Sequence, residues 1–427
     1  MDIKIKTKAP AIERLKRTCL SMWDSTPDSF PVLHRSYTDS DRAANYARMK
    51  RYIDDIIRLI KGFDGRIGED PVRWGSCFKK LLYECGVSLA VFDDQDMRLL
   101  LNGGFCDVTS DFIEQARTFD MSFKLDDMFQ SLRNVWIMNC IQVLMGMSIR
   151  ITPSIFAYSM LYPYTDNFLD TDGVSETQKQ GTNDKLEKRL AGETVRSETP
   201  LENRLFRLVE MIERQYDRKR YPMVYESLLG IHGAQVRSMR QDTVSSLSWD
   251  EIKDISADKG GCSVLADGCL VKGGLSDDEA VFIFCFGLLL QLTDDLQDAA
   301  DDRKNRHNTL FTAKGGTSAQ SLTNRLINYS CRLLADDRVF AGKNADQMKR
   351  IIRDSVILLI MGAAACNSSI YEKDYLKELE KFSPLGFKAL KDCYKRINSE
   401  YSKLKIKLAV KPLEVRMARA FARGVLD

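Results

Sequence analysis

The chain has 427 residues, 44% of them hydrophobic and 29% charged, with a formal net charge of +3. That length buries a large core, and the composition is that of a folded globular chain rather than a disordered or fibrous one. The near-neutral balance argues against nucleic acid as a partner, which calls for a basic surface.

The basic N-terminus, Met1 to Arg17, lacks the apolar stretch of a signal peptide. Residues 1–110 carry Pro27, Pro31 and Pro71 and read as a less regular extension packed on the main fold. Residues 111–427 read as one large helical bundle. Apolar residues at helical spacing predict helices over Ala43–Lys61, Asp126–Met147, Glu202–Arg220, Asp277–Asp302, Ala345–Ala365 and Pro384–Val410. The polar stretch Asp170–Pro200 and the glycine-rich Ala257–Ser276 read as loops. The apolar run Ala280–Leu290 is too short to cross a bilayer and predicts a buried helix. Strand signals are few, so the expected fold class is all-α. The 11 cysteines are scattered without a C-x-x-C pair, which suits free thiols in a reducing cytoplasm.

Two acidic clusters stand out. Asp166 and Asp170 are four apart and share one helical face, with Tyr162, Ser159, Tyr158 and Ile155 upstream on the same side. Pro163 is expected to kink that helix near the acidic rim. Asp294, Asp298 and Asp302 form a second ladder in steps of four, beside Asp295 and Asp301. Each like-charge pair costs an isolated helix about 0.2–0.5 kcal/mol. Carboxylates near a helix C-terminus also oppose the macrodipole. Solvated surface is the common fate of one such cluster, and Arg303, Lys304 and Arg306 are at hand to neutralise the second. Two clusters, each ending an apolar helix, point instead to a bound cation. Oxygen ligands favour Mg2+, with Mn2+ as the substitute. The three histidines (His34, His232, His307) lack zinc-ligand spacing. An EF-hand is excluded, because placing Gly173 at the turn puts Phe168 and Lys179 in ligand positions.

These motifs resemble those of the class I isoprenoid synthase superfamily. Asp166-x-x-x-Asp170 is similar to the DxxxD of squalene and phytoene synthases. The segment from Gln291 to Asp302 resembles both the FQxxDDxxD of chain-elongating prenyl synthases and the QLTxxxxDxxxD of the squalene and phytoene branch. Lys259-Gly-Gly-Cys-Ser263 is similar to the lysine-bearing stretch that precedes that motif and contacts diphosphate. The resemblance covers roughly residues 125–400 and implies an all-α fold with two acidic helices around three magnesium ions. The arginine pair that follows the first motif in chain-elongating enzymes is missing from the segment Gly173 to Lys179. The second motif of plant and fungal cyclases is missing too. An atypical terpene cyclase and a head-to-head condensing enzyme remain, with the cyclase favoured because no second diphosphate site is readable.

The resemblance implies that Asp166, Asp170, Asp294 and Asp298 ligate magnesium, supported by Asp295 and Asp302. Basic side chains expected to assist at the diphosphate are Arg237, Arg240, Lys259 and Lys304 or Arg306, and the candidates to line an apolar cavity are Tyr158, Tyr162, Trp136, Phe284 and Phe286. The expected substrate is an allylic isoprenoid diphosphate. Homodimer assembly stays open. The Asp170–Pro200 segment is expected to close as a lid carrying Lys179, Lys185 or Arg189. A non-catalytic helical scaffold and an all-helical nucleotide hydrolase are the rivals from other classes.

Overall fold

A computed structural model of the chain describes residues 10–63, 70–169, 173–243, 247–313, 316–410 and 413–426. The helices, in chain order, are α1 (Pro10–Asp24), α2 (Asp39–Gly62), α3 (Pro71–Ser88), α4 (Asp94–Asn102), α5 (Phe105–Phe119) and α6 (Leu125–Leu144). There follow α7 (Pro153–Leu169), α8 (Glu176–Leu190), α9 (Pro200–Gln215), α10 (Pro222–Ser238), α11 (Arg240–Thr243), α12 (Trp249–Lys272) and α13 (Asp277–Gln297). The chain closes with α14 (Ala299–Asn305), α15 (Ala319–Leu334), α16 (Lys343–Cys366), α17 (Lys373–Glu380), α18 (Phe387–Val410) and α19 (Leu413–Arg423). Among the described residues there is no strand, and no helix is long and apolar enough to cross a membrane. The fold is all-α.

Local chemistry explains where many of these helices begin. Thr38 with Asp41, Ser175 with Gln178, Ser248 with Glu251 and Ser276 with Glu279 form reciprocal capping boxes. Each satisfies two backbone donors that a helix start would otherwise leave bare. Proline opens α3, α9 and α10, where its missing N–H costs nothing.

The chain packs as two compact units, one from Met1–Val32 with Pro153–Ala341 and the other from Leu33–Thr152 with Gly342–Asp427. Residue 110 is not a boundary of this division. The described part of the first 110 residues supplies α1 to the first unit and α2 to α4 with the start of α5 to the second. In the second unit, α19 packs against both α3 and α5. A Cβ on Gly75 would fall 1.8 Å from the Ala420 carbonyl oxygen, so glycine permits that approach.

In the first unit α12 is the spine, with α1, α7, α10 and α13 packed on it. Two sequence expectations are corrected here. The glycine-rich segment is not a loop: α12 runs through Gly260, Gly261 and Gly268 to Lys272, and only Gly273, at φ +88°, ends it. Each interior glycine costs a helix up to about 1 kcal/mol, but here the missing side chains admit α13. A Cβ on Gly260 would meet the Gly287 carbonyl oxygen at 2.4 Å, and one on Gly261 would enter the Phe284 ring. The polar segment after the first acidic cluster is also not an open loop, because α8 fills Glu176–Leu190. Its capping box starts it, and the buried Leu186 and Leu190 anchor it. Lys185 pairs with the buried Glu202 at 3.0 Å, and Arg189 pairs with Glu213. Those ties pin the second half of α8, so this part of the expected lid is a packed helix.

The expected single helix from Asp277 to Asp302 is two. α13 ends at Gln297, Asp298 caps it at φ −91°, ψ 1°, and α14 restarts at Ala299. The break falls inside the like-charge ladder, where continuing the helix is most costly. α7 runs through Pro163 to Leu169.

Candidate metal and diphosphate site

The register of three helices against α12 places the candidate residues. Ser154 Oγ donates to the Leu270 carbonyl at 3.0 Å, and Tyr158 Oη donates to the Ser263 carbonyl at 3.5 Å. As α7 advances, its partner on α12 recedes, so the two run antiparallel. Asp166 lies eight residues, about 12 Å, beyond Tyr158, and Ser256 lies about 10 Å before Ser263. The acidic end of α7 is thereby carried toward the amino-terminal half of α12. α13 is antiparallel to α12 as well: Ile283 packs at Gly268, Gly287 at Gly260, and Asp295 at Ser256. α10 follows the same course, with Gly230 near Cys262 and Arg237 near Asp258. Three helices therefore end at the same half of α12, two of them in the acidic motifs.

Asp295 is buried between α12 and α13. It accepts a 2.7 Å hydrogen bond from Gln291 Nε2 and a 3.3 Å one from Ser256 Oγ. Burial pushes its carboxyl up to about 7, against the pull of the Gln291 bond and the Lys259 charge and with the push of Asp294 and Asp302. This side chain braces the motif between two helices. Asp302, half-buried on α14, is pushed up to about 6 by burial, with His307 opposing and Asp298 and Asp294 adding to the rise. The Lys259 charge on α12 pulls both carboxyls down, against the larger effect of burial.

The other expected diphosphate residues separate. Arg237 stands 3.4 Å from the buried Asp258, which also has Lys16 of α1 at 3.7 Å. It belongs to an ion cluster between α1, α10 and α12. Arg240 pairs with Glu251 at 3.0 Å, on the first turn of α12. Lys304 and Arg306 are exposed on and after α14, Arg306 in a left-handed cap at φ +61°. Of the cavity candidates, Tyr158 is buried and Tyr162 half-buried on α7. Burial, reinforced by Asp267, pushes the Tyr158 hydroxyl well up. Phe284 is fully buried against Gly261 and Phe286 is buried on the same helix, which makes Phe284 packing between α12 and α13. Trp136 belongs to the second unit, where its indole donates to Thr109 Oγ1 at 2.9 Å.

Asp170 lies outside the described residues. Among the described residues, no three carboxylate, histidine or cysteine side chains gather closely enough to form a metal cage. Magnesium does not require one, since it commonly takes one or two carboxylates and completes its shell with water and phosphate oxygens. Asp166, Asp294, Asp298 and Asp302 are hard oxygen donors of the right type, and Asp298 and Asp294 both push the Asp302 carboxyl up. Ser256, Asp258 and Lys16 escaped the sequence reading, and Gln291 entered it only as the first residue of the second motif. Only Gln291 had a local signal, four residues before Asp295 on one face.

No family model matches this chain, no curated protein matches its sequence, and no solved structure matches its fold.

Proposed function

We propose that the chain is a class I terpene synthase, ionising an allylic isoprenoid diphosphate with release of diphosphate and cyclisation or rearrangement of the carbocation. The observation that carries this reading is the shared register on α12, which directs the acidic ends of α7 and α13 toward the half that bears Lys259. Asp166, Asp294 and Asp298 would hold magnesium, with Asp302 in support and Asp170 as the partner that the first motif implies. Magnesium supplies the charge that neutralises the leaving diphosphate. Lys259 adds a point charge to that grip. Asp295 orients rather than ligates, since both its oxygens are already engaged between helices. Tyr158 and Tyr162 present aromatic surface upstream of Asp166, where a cation formed on ionisation gains from a ring face.

The test is product analysis with magnesium and geranyl, farnesyl or geranylgeranyl diphosphate, each with and without isopentenyl diphosphate. A hydrocarbon or alcohol with the carbon count of one substrate, formed without isopentenyl diphosphate, is expected. A product of doubled carbon count would make the enzyme a head-to-head prenyltransferase. Longer diphosphates formed only with isopentenyl diphosphate would make it a chain-elongating one, and either outcome overturns the cyclase reading.

A further inference from the structure

α14 carries Asp302 yet has little to hold it. It is seven residues long, only Ala299 is buried, and it follows a break in a ladder of like charges. Within its own segment it has backbone support: Asp302 N–H donates to the Asp298 carbonyl at 2.9 Å, and His307 N–H donates to the Asp302 carbonyl at 2.8 Å. Repulsion along Asp294, Asp298 and Asp302 works against those contacts, so what fixes α14 has to come from outside it.

Arg303 Nη2 of α14 donates to the Phe311 carbonyl at 3.4 Å, and further support comes from α11. The Asn308 backbone N–H donates to the Gln241 carbonyl at 3.1 Å, and Asn308 Nδ2 donates to the same oxygen at 2.8 Å. In return Gln241 Nε2 donates to the Asn308 carbonyl at 2.7 Å. Gln241 is only 3% exposed, and next to this pair His307 Nδ1 meets Asp242. Two residues thus exchange three hydrogen bonds across segments distant in sequence, immediately after the turn that ends α14. Bonds around a buried side chain such as Gln241 are costly to break, because a lost partner strands a polar group away from water.

We infer that Gln241 and Asn308 are positioning residues, a latch that holds α14 and Asp302 in place against the repulsion of the acidic ladder. The inference rests on the proposed function, since it assigns the latch to the magnesium-binding motif. Neither residue is assigned contact with the metal or the diphosphate. They act through α14, as partners outside a coordination shell fix the ligands within it.

Binding of inorganic diphosphate in the presence of MgCl2, followed by calorimetry on the full chain, tests this. Gln241→Ala and Asn308→Ala are each expected to weaken binding roughly tenfold. The double variant is expected to lose more than either single one, because each removes a different side-chain bond while the Asn308 N–H bond to the Gln241 carbonyl survives both. Gln142 supplies the control for a merely structural role. In the second unit it makes a comparable reciprocal pair with Arg150, at 3.0 and 3.2 Å. Gln142→Ala is expected to cost stability while leaving diphosphate binding at the wild-type value. If Asn308→Ala does not fold, Gln241→Met, which keeps the side-chain length and removes the donor, decides the matter. Folded latch variants that bind like the wild type overturn the inference and leave the proposed function standing. A wild-type chain with no magnesium-dependent diphosphate binding overturns the proposed function, and the latch's role falls with it.

Discussion

Gly287 of α13 and Gly260 of α12 meet backbone to backbone: a Cβ on Gly287 would lie 2.1 Å from the Gly260 carbonyl oxygen. This crossing sets how closely the two central helices approach, and Asp295 reaches Ser256 two turns further along α13. Gly287→Ala is expected to destabilise the chain even though alanine favours a helix by about 1 kcal/mol over glycine. The overlap falls on backbone, which cannot rotate away, and overpacking costs about 1–3 kcal/mol or more. Gly181 in α8 is the opposite case, with nothing within 4 Å of the point where its Cβ would stand. Gly181→Ala is expected to stabilise by about 0.5–1 kcal/mol. Urea unfolding of both variants checks the pair, and the same sign for both would refute the assignment of the glycines.

The acidic ladder is expected to cost stability until a cation binds. Asp294→Asn combined with Asp298→Asn removes like-charge repulsion worth about 0.2–0.5 kcal/mol per pair, so without magnesium the variant should melt no lower than the wild type. Magnesium with inorganic diphosphate should then stabilise the wild type, by about 2.7 kcal/mol at a hundredfold excess over the dissociation constant, and leave the variant unchanged. An equal shift in both proteins would place the ligand elsewhere.

His232 should make stability sensitive to acid. It is 8% exposed on α10, and its neighbours on α8 include Asn183, whose backbone bonds it, with Glu187 and Asp184. Burial is the largest influence and holds its pKa below the usual value, although those two carboxylates oppose the shift. The folded state therefore takes up the proton less readily than the unfolded one. The contribution is fully present above about pH 6.5 and is lost as the pH falls through the lowered value. Melting curves taken between about pH 7.5 and about pH 5 should fall more steeply for the wild type than for His232→Gln. Parallel curves would show that His232 is not the sensor.

Much of the fold was legible in the sequence because apolar periodicity and capping chemistry are local. The ranges expected for α2, α6, α9, α16 and α18 agree with the structure to within a few residues at most ends. The glycines of α12 misled for the opposite reason. Their role is set by α13, and no neighbouring residue in sequence reveals that a carbonyl from Gly287 will fill the space. α8 was missed because its polar composition hides a capping box and two buried leucines. At the site, the spacing of Asp294 and Asp298 was readable, as was a lysine at Lys259. The capture of Arg237 by Asp258 and of Arg240 by Glu251 depends on tertiary contacts, as does the packing of Phe284 against Gly261.

The most direct test of the central claim is the anomalous scattering of Mn2+ in a crystal grown with MnCl2 and inorganic diphosphate. Manganese peaks beside Asp294 and Asp298 and beside Asp166, with diphosphate density between them and within reach of Lys259, are the predicted result. Manganese and diphosphate bound away from all three aspartates, or no ordered metal at saturating concentrations of both, would contradict it.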